Sequence, residues 1–273
     1  MGETMIAPPM PEEQPSDSFL SRAIGMFISP GRTFESIARR PDFLAPLITL
    51  TVASYILIEA MLEKVGAGRI IRQSIEMSGK ASQMTPEQID QTVQKVATFT
   101  AISMRIGGVL GVPIFLLIIA AVGLFVVNVI FGASANFKTC FSVVCYANMV
   151  LIVSVVLGLV MVLLGDVEQF NVENFLPTTV GFFLNPRETS KPLYVIASSF
   201  DIFHVWFIIL TSLGLSAATG KKVGTVAILL TYLGVWVLLV LAHAGWAAMM
   251  GERRAAGPQK KIKRQRARVK SPC

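Results

Sequence analysis

Five long apolar stretches constrain this chain more than any other feature of its sequence. A membrane-spanning helix needs about 20 consecutive, mostly apolar residues, and each stretch reaches that length. The predicted spans are residues 43–62, 106–131, 141–164, 193–215 and 225–249. Only 15% of the residues are charged and the mean hydropathy is +0.63, whereas about a quarter of the residues of soluble domains are charged. The sequence predicts an all-α, polytopic membrane bundle with five transmembrane helices.

Composition divides the chain into three parts. Residues 1–17 contain four prolines and four acidic residues, which is typical of a disordered segment and unlike a signal peptide. Residues 18–249 form the predicted membrane domain. Residues 250–273 form a basic tail next to the membrane, which accounts for the net charge of +7 because the remainder of the chain is close to neutral.

An amphipathic helix is predicted directly before the first span. Phe19, Leu20, Ile24, Phe27 and Ile28 recur at helical spacing. Such a helix lies along the lipid headgroups with its apolar side down, or it packs against the bundle. The sequence leaves both arrangements open.

The connection between spans one and two is too long for a structureless loop. Thr85-Pro86-Glu87-Gln88 has the pattern of a capping box with proline at the first helical position. We therefore predict a helical hairpin outside the membrane, the largest candidate surface for a protein partner. At the start of span two, Gly107 and Gly111 have the G-x-x-x-G spacing that lets another helix approach closely.

Ionisable residues inside spans four and five are the most informative candidates for a site, because charge is costly in hydrocarbon. Asp201 and His204 share a helix face, and counting from the tight turn between the spans places His243 at the same depth. One interpretation is a proton or ion relay. The other is a structural clasp that holds span four against span five or against Tyr146 and Asn148, and it is the preferred one. A metal site is the weakest alternative, and we predict no metal and no cofactor.

The tail is predicted to bind anionic lipid headgroups, since each basic residue near the membrane surface contributes about 1 kcal/mol. No aromatic residues are interleaved for base stacking, so nucleic acid is not expected. The basic residues of the tail are Arg253, Arg254, Lys260, Lys261, Lys263, Arg264, Arg266, Arg268 and Lys270.

Three short stretches together resemble the bacterial branch of the Yip1 family of five-span membrane proteins. They are residues 29–37 (SPGRTFESI) with Arg40-Pro41; Phe131-Gly132 with Asn136-Phe137-Lys138 and Tyr146; and Ser199-Phe200-Asp201-Ile202-Phe203 with Trp206 and Gly214. With the span layout, the likeness covers about residues 18–249. Gly214, in the third stretch, is a further candidate helix-packing glycine beside Gly107 and Gly111.

The resemblance implies a membrane-embedded organiser or adaptor without catalytic residues, because eukaryotic members are associated with vesicle traffic. No P-loop, zinc-protease, nucleophile-elbow or dinucleotide-binding pattern occurs, so no enzyme is predicted. The sequence predicts an adaptor or scaffold with a protein partner or a second copy bound through membrane helices. A small proton- or ion-coupled transporter using Asp201, His204 and His243 is the alternative.

Location and orientation follow less directly. The absence of eukaryotic sorting signals suits a bacterial inner membrane. The basic tail favours a cytoplasmic carboxyl end by the positive-inside rule. Arg39-Arg40 before the first span favours the opposite orientation, and the sequence leaves the conflict open.

Overall fold

A computed structural model describes residues 18–78, 81–166, 175–185 and 188–269, with only the backbone for Ser82 and residues 250–269. Ten α-helices account for most of these residues, and the described ranges contain no β-strand. The helices are α1 Phe19–Ile28, α2 Pro30–Arg39, α3 Leu44–Lys64, α4 Ala67–Met77, α5 Pro86–Phe125, α6 Phe137–Asn148, α7 Leu151–Leu164, α8 Lys191–Ser199, α9 Ile202–Ala218 and α10 Thr225–Val269. The predicted all-α class is confirmed.

Four helical segments of the described chain are long and apolar enough to cross a membrane, judged by length and composition. They are Leu44–Lys64, Pro86–Ile130, Phe137–Leu164 and Thr225–Met249. The third combines α6 and α7 across a turn at Met149 and Val150. These segments agree closely with predicted spans one, two, three and five.

Predicted span four is wrong as a single continuous helix. Residues 193–215 are divided between α8 and α9, with Phe200 and Asp201 outside both. The backbone N–H of Val180 donates to the carbonyl of Phe200, and that of Ile202 donates to the carbonyl of Thr178, so a neighbouring segment replaces the helical partners at the break. α9 has 17 residues, or about 25 Å, slightly less than the roughly 30 Å of hydrocarbon in a bilayer.

Short connections define two ends of the bundle. At the near end, α3 and α6 begin beside each other, since the rings of Phe43 and Phe141 lie 4.9 Å apart. The side chain of Asn128, at the end of the second span, exchanges two hydrogen bonds with the backbone of Ala135 (2.8 and 3.0 Å). α6 therefore leaves the near end as α5 arrives there. The α9–α10 turn lies there as well, because Lys221 pairs with Glu35 of α2 at 2.7 Å.

The predicted hairpin between spans one and two is present at the far end as α4 and the first half of α5. Gly66, at φ 81°, reverses the chain between α3 and α4, a conformation that favours glycine. The predicted capping box starts α5: the Gln88 N–H donates to the Thr85 hydroxyl, and the Thr85 N–H donates to the Gln88 side chain. Pro86 occupies the first turn as predicted.

The core lies where α1 and α2 pack against α6 and α9. Met26, Phe34 and Ile37 are at most 2% exposed, as are Tyr146 and Leu210. Among the two arrangements left open for the segment before span one, the structure has packing against the bundle, since each of its helices buries one side.

Candidate functional site

The near-end junction brings together side chains from three distant parts of the chain. Gly214 of α9 faces Phe34 of α2 and Val143 of α6. A β-carbon on Gly214 would lie 2.7 Å from two carbons of the Phe34 ring and would also overlap Val143. The three helices approach this closely only because residue 214 has no side chain. This is a helix-packing position of the kind expected for Gly214.

A buried arginine fixes α1 to the start of α3. Arg22 is 4% exposed; its guanidinium donates to the Asp42 carboxylate at 2.9 Å and to the Arg40 carbonyl at 3.0 Å. The Tyr146 side chain lies beside both charges, although its hydroxyl makes no hydrogen bond of good geometry with the described residues. The ion pair neutralises a charge that would be costly to bury alone.

A surface ion pair connects α2 with the α9–α10 turn. Lys221 adopts a left-handed backbone conformation (φ 63°), and its ammonium group donates to Glu35 at 2.7 Å. The hydrogen bond from Lys221, followed by its positive charge, lowers the pKa of Glu35. The Lys221 and Glu35 side chains are 71 and 38% exposed, so this pair contributes little to stability.

Asp201 begins α9 rather than lying within a helix. Its carboxylate accepts a hydrogen bond from the Phe203 N–H at 2.8 Å, the geometry of an N-cap, and another from the Thr178 hydroxyl at 3.2 Å. Since α9 ends at the near end, Asp201 lies about 25 Å away, close to the far boundary of the membrane. The negative charge at a helix amino terminus is also favourable.

The two histidines predicted beside Asp201 are separated from each other. His204 lies between aromatic rings, 6.2 Å from Phe207 and 6.5 Å from Trp236 between centroids. His243 lies seven residues beyond Trp236 on α10, about 10 Å farther along the helix, and is exposed. Within the described residues, no hydrogen bond or ion pair joins His243 to Asp201.

Tyr146 and Asn148 belong to a different level of the bundle from Asp201. α6 and α9 run in opposite directions and meet at Val143 and Gly214, so Tyr146 lies level with Thr211, ten residues from Asp201. The Asn148 amide oxygen and the Thr211 hydroxyl are buried, and neither has a hydrogen-bond partner among the described residues. The five residues predicted as one intramembrane cluster therefore lie at two or more different levels of the bundle.

The glycine that packs α5 against α3 is Gly108. A β-carbon there would lie 2.7 Å from Ile58, whereas Gly107 and Gly111 have no neighbouring atom within 4 Å. These two glycines face outward and are open to another helix. Adjacent positions on a helix point about 100° apart, so the G-x-x-x-G spacing marks a face that α3 does not use.

No three His, Cys, Asp or Glu residues of the described chain are placed to hold a metal ion. The basic tail side chains, from Arg253 to Arg268, lie outside the described side chains, and Lys270 lies outside the described residues. Sequence reasoning missed Arg22 and Thr178. The signal for Arg22 was an isolated basic residue on the buried side of an amphipathic helix.

These features define a multi-pass helical membrane protein whose amino-terminal helices are built into the bundle. The model of the Yip1 domain matches residues 24–245, most of the chain, and the chain belongs to that family. The match confirms the resemblance and includes all three stretches on which it rests. No curated protein and no solved structure matches the chain.

Proposed function

We propose that this protein is a non-catalytic membrane adaptor or scaffold that presents a rigid helical arm to a protein partner. The observation that carries the proposal is the unbroken length of α5. Its 40 residues extend about 60 Å, twice the thickness of the hydrocarbon core. Residues 86–105 of α5, here called the arm, extend beyond the far end of the bundle by up to about 30 Å.

Ion pairs brace the arm on one side. Arg105 forms a two-pronged pair with Glu59 of α3, at 2.7 and 3.0 Å, and Asp90 pairs with Arg72 of α4. A two-pronged pair fixes direction as well as distance. The arm lies against α3 near its base and against α4 near its tip, where a β-carbon on Gly68 of α4 would lie 3.3 Å from Val93 of the arm. This packing, more than the exposed ion pairs, suits a docking surface better than a hinge.

The opposite side of the arm is exposed. Glu87, Gln91, Gln94 and Lys95 near its tip are exposed, and Phe99 and Ile102 nearer its base are 71 and 49% exposed. This mixed polar and apolar surface suits a protein contact. Within the membrane, the open face at Gly107 and Gly111 suits a partner helix or a second copy of this chain. The proposal counts five crossings, with α8 and α9 together as the fourth.

The use of the buried polar residues supports a scaffold over a transporter. Arg22 is bound to Asp42 and Arg40, and Asp201 caps a helix, so each performs a structural task. His243 is separated from Asp201, which removes the third member of the supposed relay. A small proton- or ion-coupled transporter is the alternative function, and the flux measurement below distinguishes it from a scaffold.

Site-specific photo-crosslinking tests the arm. A photoreactive residue at Gln94 should capture a discrete species in native membranes, and the same residue at Leu238, a lipid-facing position of α10, should not capture that species. Gln91→Lys together with Lys95→Glu should remove the Gln94 product and leave the thermal stability unchanged. Equal capture at both positions would contradict docking by the arm.

A flux measurement addresses the alternative function. Purified protein in liposomes should pass protons and small ions no faster than empty liposomes. Flux above that background, lost in Asp201→Asn while the protein stays folded, would replace the scaffold with a transporter.

A further inference from the structure

One face of α1 is apolar and uncovered. Leu20, Ile24, Phe27 and Ile28 are 66, 50, 42 and 78% exposed. The opposite face holds Met26 and Arg22 and is buried. Because a large exposed apolar face is unfavourable in water, something apolar must cover it.

The charge pattern of α1 differs from that of a helix lying flat on the headgroups. Interfacial helices carry a polar face rich in lysine and arginine that stays in the headgroup layer. The only charged residue of α1 is Arg22, which is turned inward to Asp42. α1 therefore has an apolar outer face and an inner face committed to the bundle.

Contacts along α1 give its depth in the membrane. Its beginning lies beside α6, since the rings of Phe19 and Tyr146 are 6.3 Å apart, and its end lies beside α9, where Phe27 contacts Trp206 edge to face at 5.7 Å. Measured from the level of Val143 and Gly214, Tyr146 is three residues deeper and Trp206 eight. The end of α1 is therefore about 7 Å farther from the near end than its beginning.

α2 returns along α9 toward the near end. Gly25 of α1 lies directly against Thr33 of α2, so the two helices pack closely after the turn at Ser29. Phe34 then meets Gly214, and Glu35 meets Lys221 in the near-end turn. The deepest point of the pair is the turn itself, beside Ile28, the most exposed residue of α1.

We propose that α1 and α2 form a re-entrant hairpin that enters the membrane from the near end and turns back within it. The outer face of α1 is a lipid-binding surface, and its ligand is the acyl chains of the membrane interior. The surface continues the lipid-facing side of α3, which lies next to α1 through the Arg22–Asp42 pair and whose Leu44 and Ile48 are 62 and 59% exposed.

Spin labels on the full-length protein measure this depth directly. With Cys273→Ser as background, nitroxides are placed at Leu20→Cys, Ile24→Cys and Ile28→Cys in vesicles of phosphatidylcholine and phosphatidylglycerol. Cys140 and Cys145 are 0% exposed and should not label. Leu238→Cys, 68% exposed on α10, is the control within the bilayer, and Gln94→Cys on the arm is the control in water.

The expected result is a position within the hydrocarbon for all three labels. Accessibility to oxygen relative to a water-soluble nickel chelate should be high at positions 20, 24 and 28 and close to the value at 238, because both ends of α1 lie within about 6 Å of the level of the middle of α9. Agreement among the three positions guards against a single disturbed label.

Two outcomes would overturn the hairpin. Accessibility intermediate between the values at 238 and 94, or nickel accessibility like that at position 94, would mean a helix lying on the headgroups or in water. Low accessibility to both reagents with spin–spin broadening between molecules would mean that a second copy of the chain covers this face.

Discussion

Single residues at the near end determine whether three helices can meet. Arg22 contributes by neutralising a charge inside the junction, and Gly214 contributes by leaving room. Substitution of Arg22 removes a contact, whereas substitution of Gly214 creates a steric overlap. The loss of stability can be measured in each case against a matched control substitution in the same protein.

Arg22→Ala should destabilise the protein by about 1–3 kcal/mol, because the Asp42 carboxylate and the Arg40 carbonyl lose their donor. Asp42 is half exposed, so water replaces part of the loss. The midpoint of thermal unfolding in mild detergent measures the change. Arg32→Ala, at an exposed position of α2, should stay within about 0.5 kcal/mol of the unaltered protein, and an equal effect of both substitutions would contradict the role of the ion pair.

Gly214→Ala should cost about 1–3 kcal/mol, since the new methyl group overlaps Phe34 and Val143 in a packed interior. Gly234→Ala in α10 is the matched control, because a β-carbon there meets no atom within 4 Å. That control should be neutral or stabilising by up to about 1 kcal/mol. Comparable unfolding midpoints for the two variants would show that the near-end helices have room to separate.

Among the helices, apolar length predicted spans one, two, three and five well and failed at span four. Averaged hydropathy cannot distinguish one helix of 23 residues from two shorter helices with a bend, since both are equally apolar. The break depends on a local hydrogen bond from the Phe203 N–H to the Asp201 side chain, which competes with helix continuation. The sequence predicts Asp201 to be a polar residue inside a span, whereas in the structure it caps the start of α9.

Substitutions at Asp201 separate the cap from a relay. Asp201→Ala should cost about 0.5–2 kcal/mol, the usual loss for an N-cap. Asp201→Asn should be nearly neutral, because the amide oxygen still accepts the Phe203 N–H and asparagine is an equally good cap. Unfolding midpoints of both variants test this. A large loss in Asp201→Asn would mean that the carboxylate charge, and not the cap geometry, is needed.

The glycines illustrate a second limit of sequence patterns. G-x-x-x-G identified Gly107 and Gly111 as a packing face, yet α3 contacts Gly108, one residue away. A spacing defines a stripe on a helix, but it does not state which neighbour meets which stripe. Arg22 was missed for a related reason, since one basic residue in an amphipathic segment usually faces water.

With the proposed five crossings, the loop before α3 and the end of α10 lie on opposite sides of the membrane. The arm and the end of α10 would then share the far side, where most basic residues of the sequence lie, and by the positive-inside rule we expect that side to be cytoplasmic. A membrane-impermeant maleimide should label Cys273 in inverted vesicles and not in intact cells. The buried Cys140 and Cys145 provide an internal control, and labelling of intact cells would reverse the orientation.

The basic tail, residues 250–273, is expected to attach to anionic membranes. A peptide of residues 250–273 should sediment with vesicles that contain phosphatidylglycerol and stay in solution with pure phosphatidylcholine, because its nine basic residues each gain about 1 kcal/mol at an anionic surface. Raising the salt concentration should release it. Binding that is indifferent to lipid charge would contradict electrostatic attachment.

The contact between Phe34 and Gly214 also constrains the order in which the protein assembles during its synthesis. The two residues are separated by 180 positions, and a ribosome adds about 5–20 residues per second, so roughly 10–40 seconds pass between their appearances. During that interval α1 and α2 exist without the helix that covers them. The first part of the chain to be synthesised is therefore among the last to reach its final place, and assembly of this protein can be completed only after α9 has been inserted.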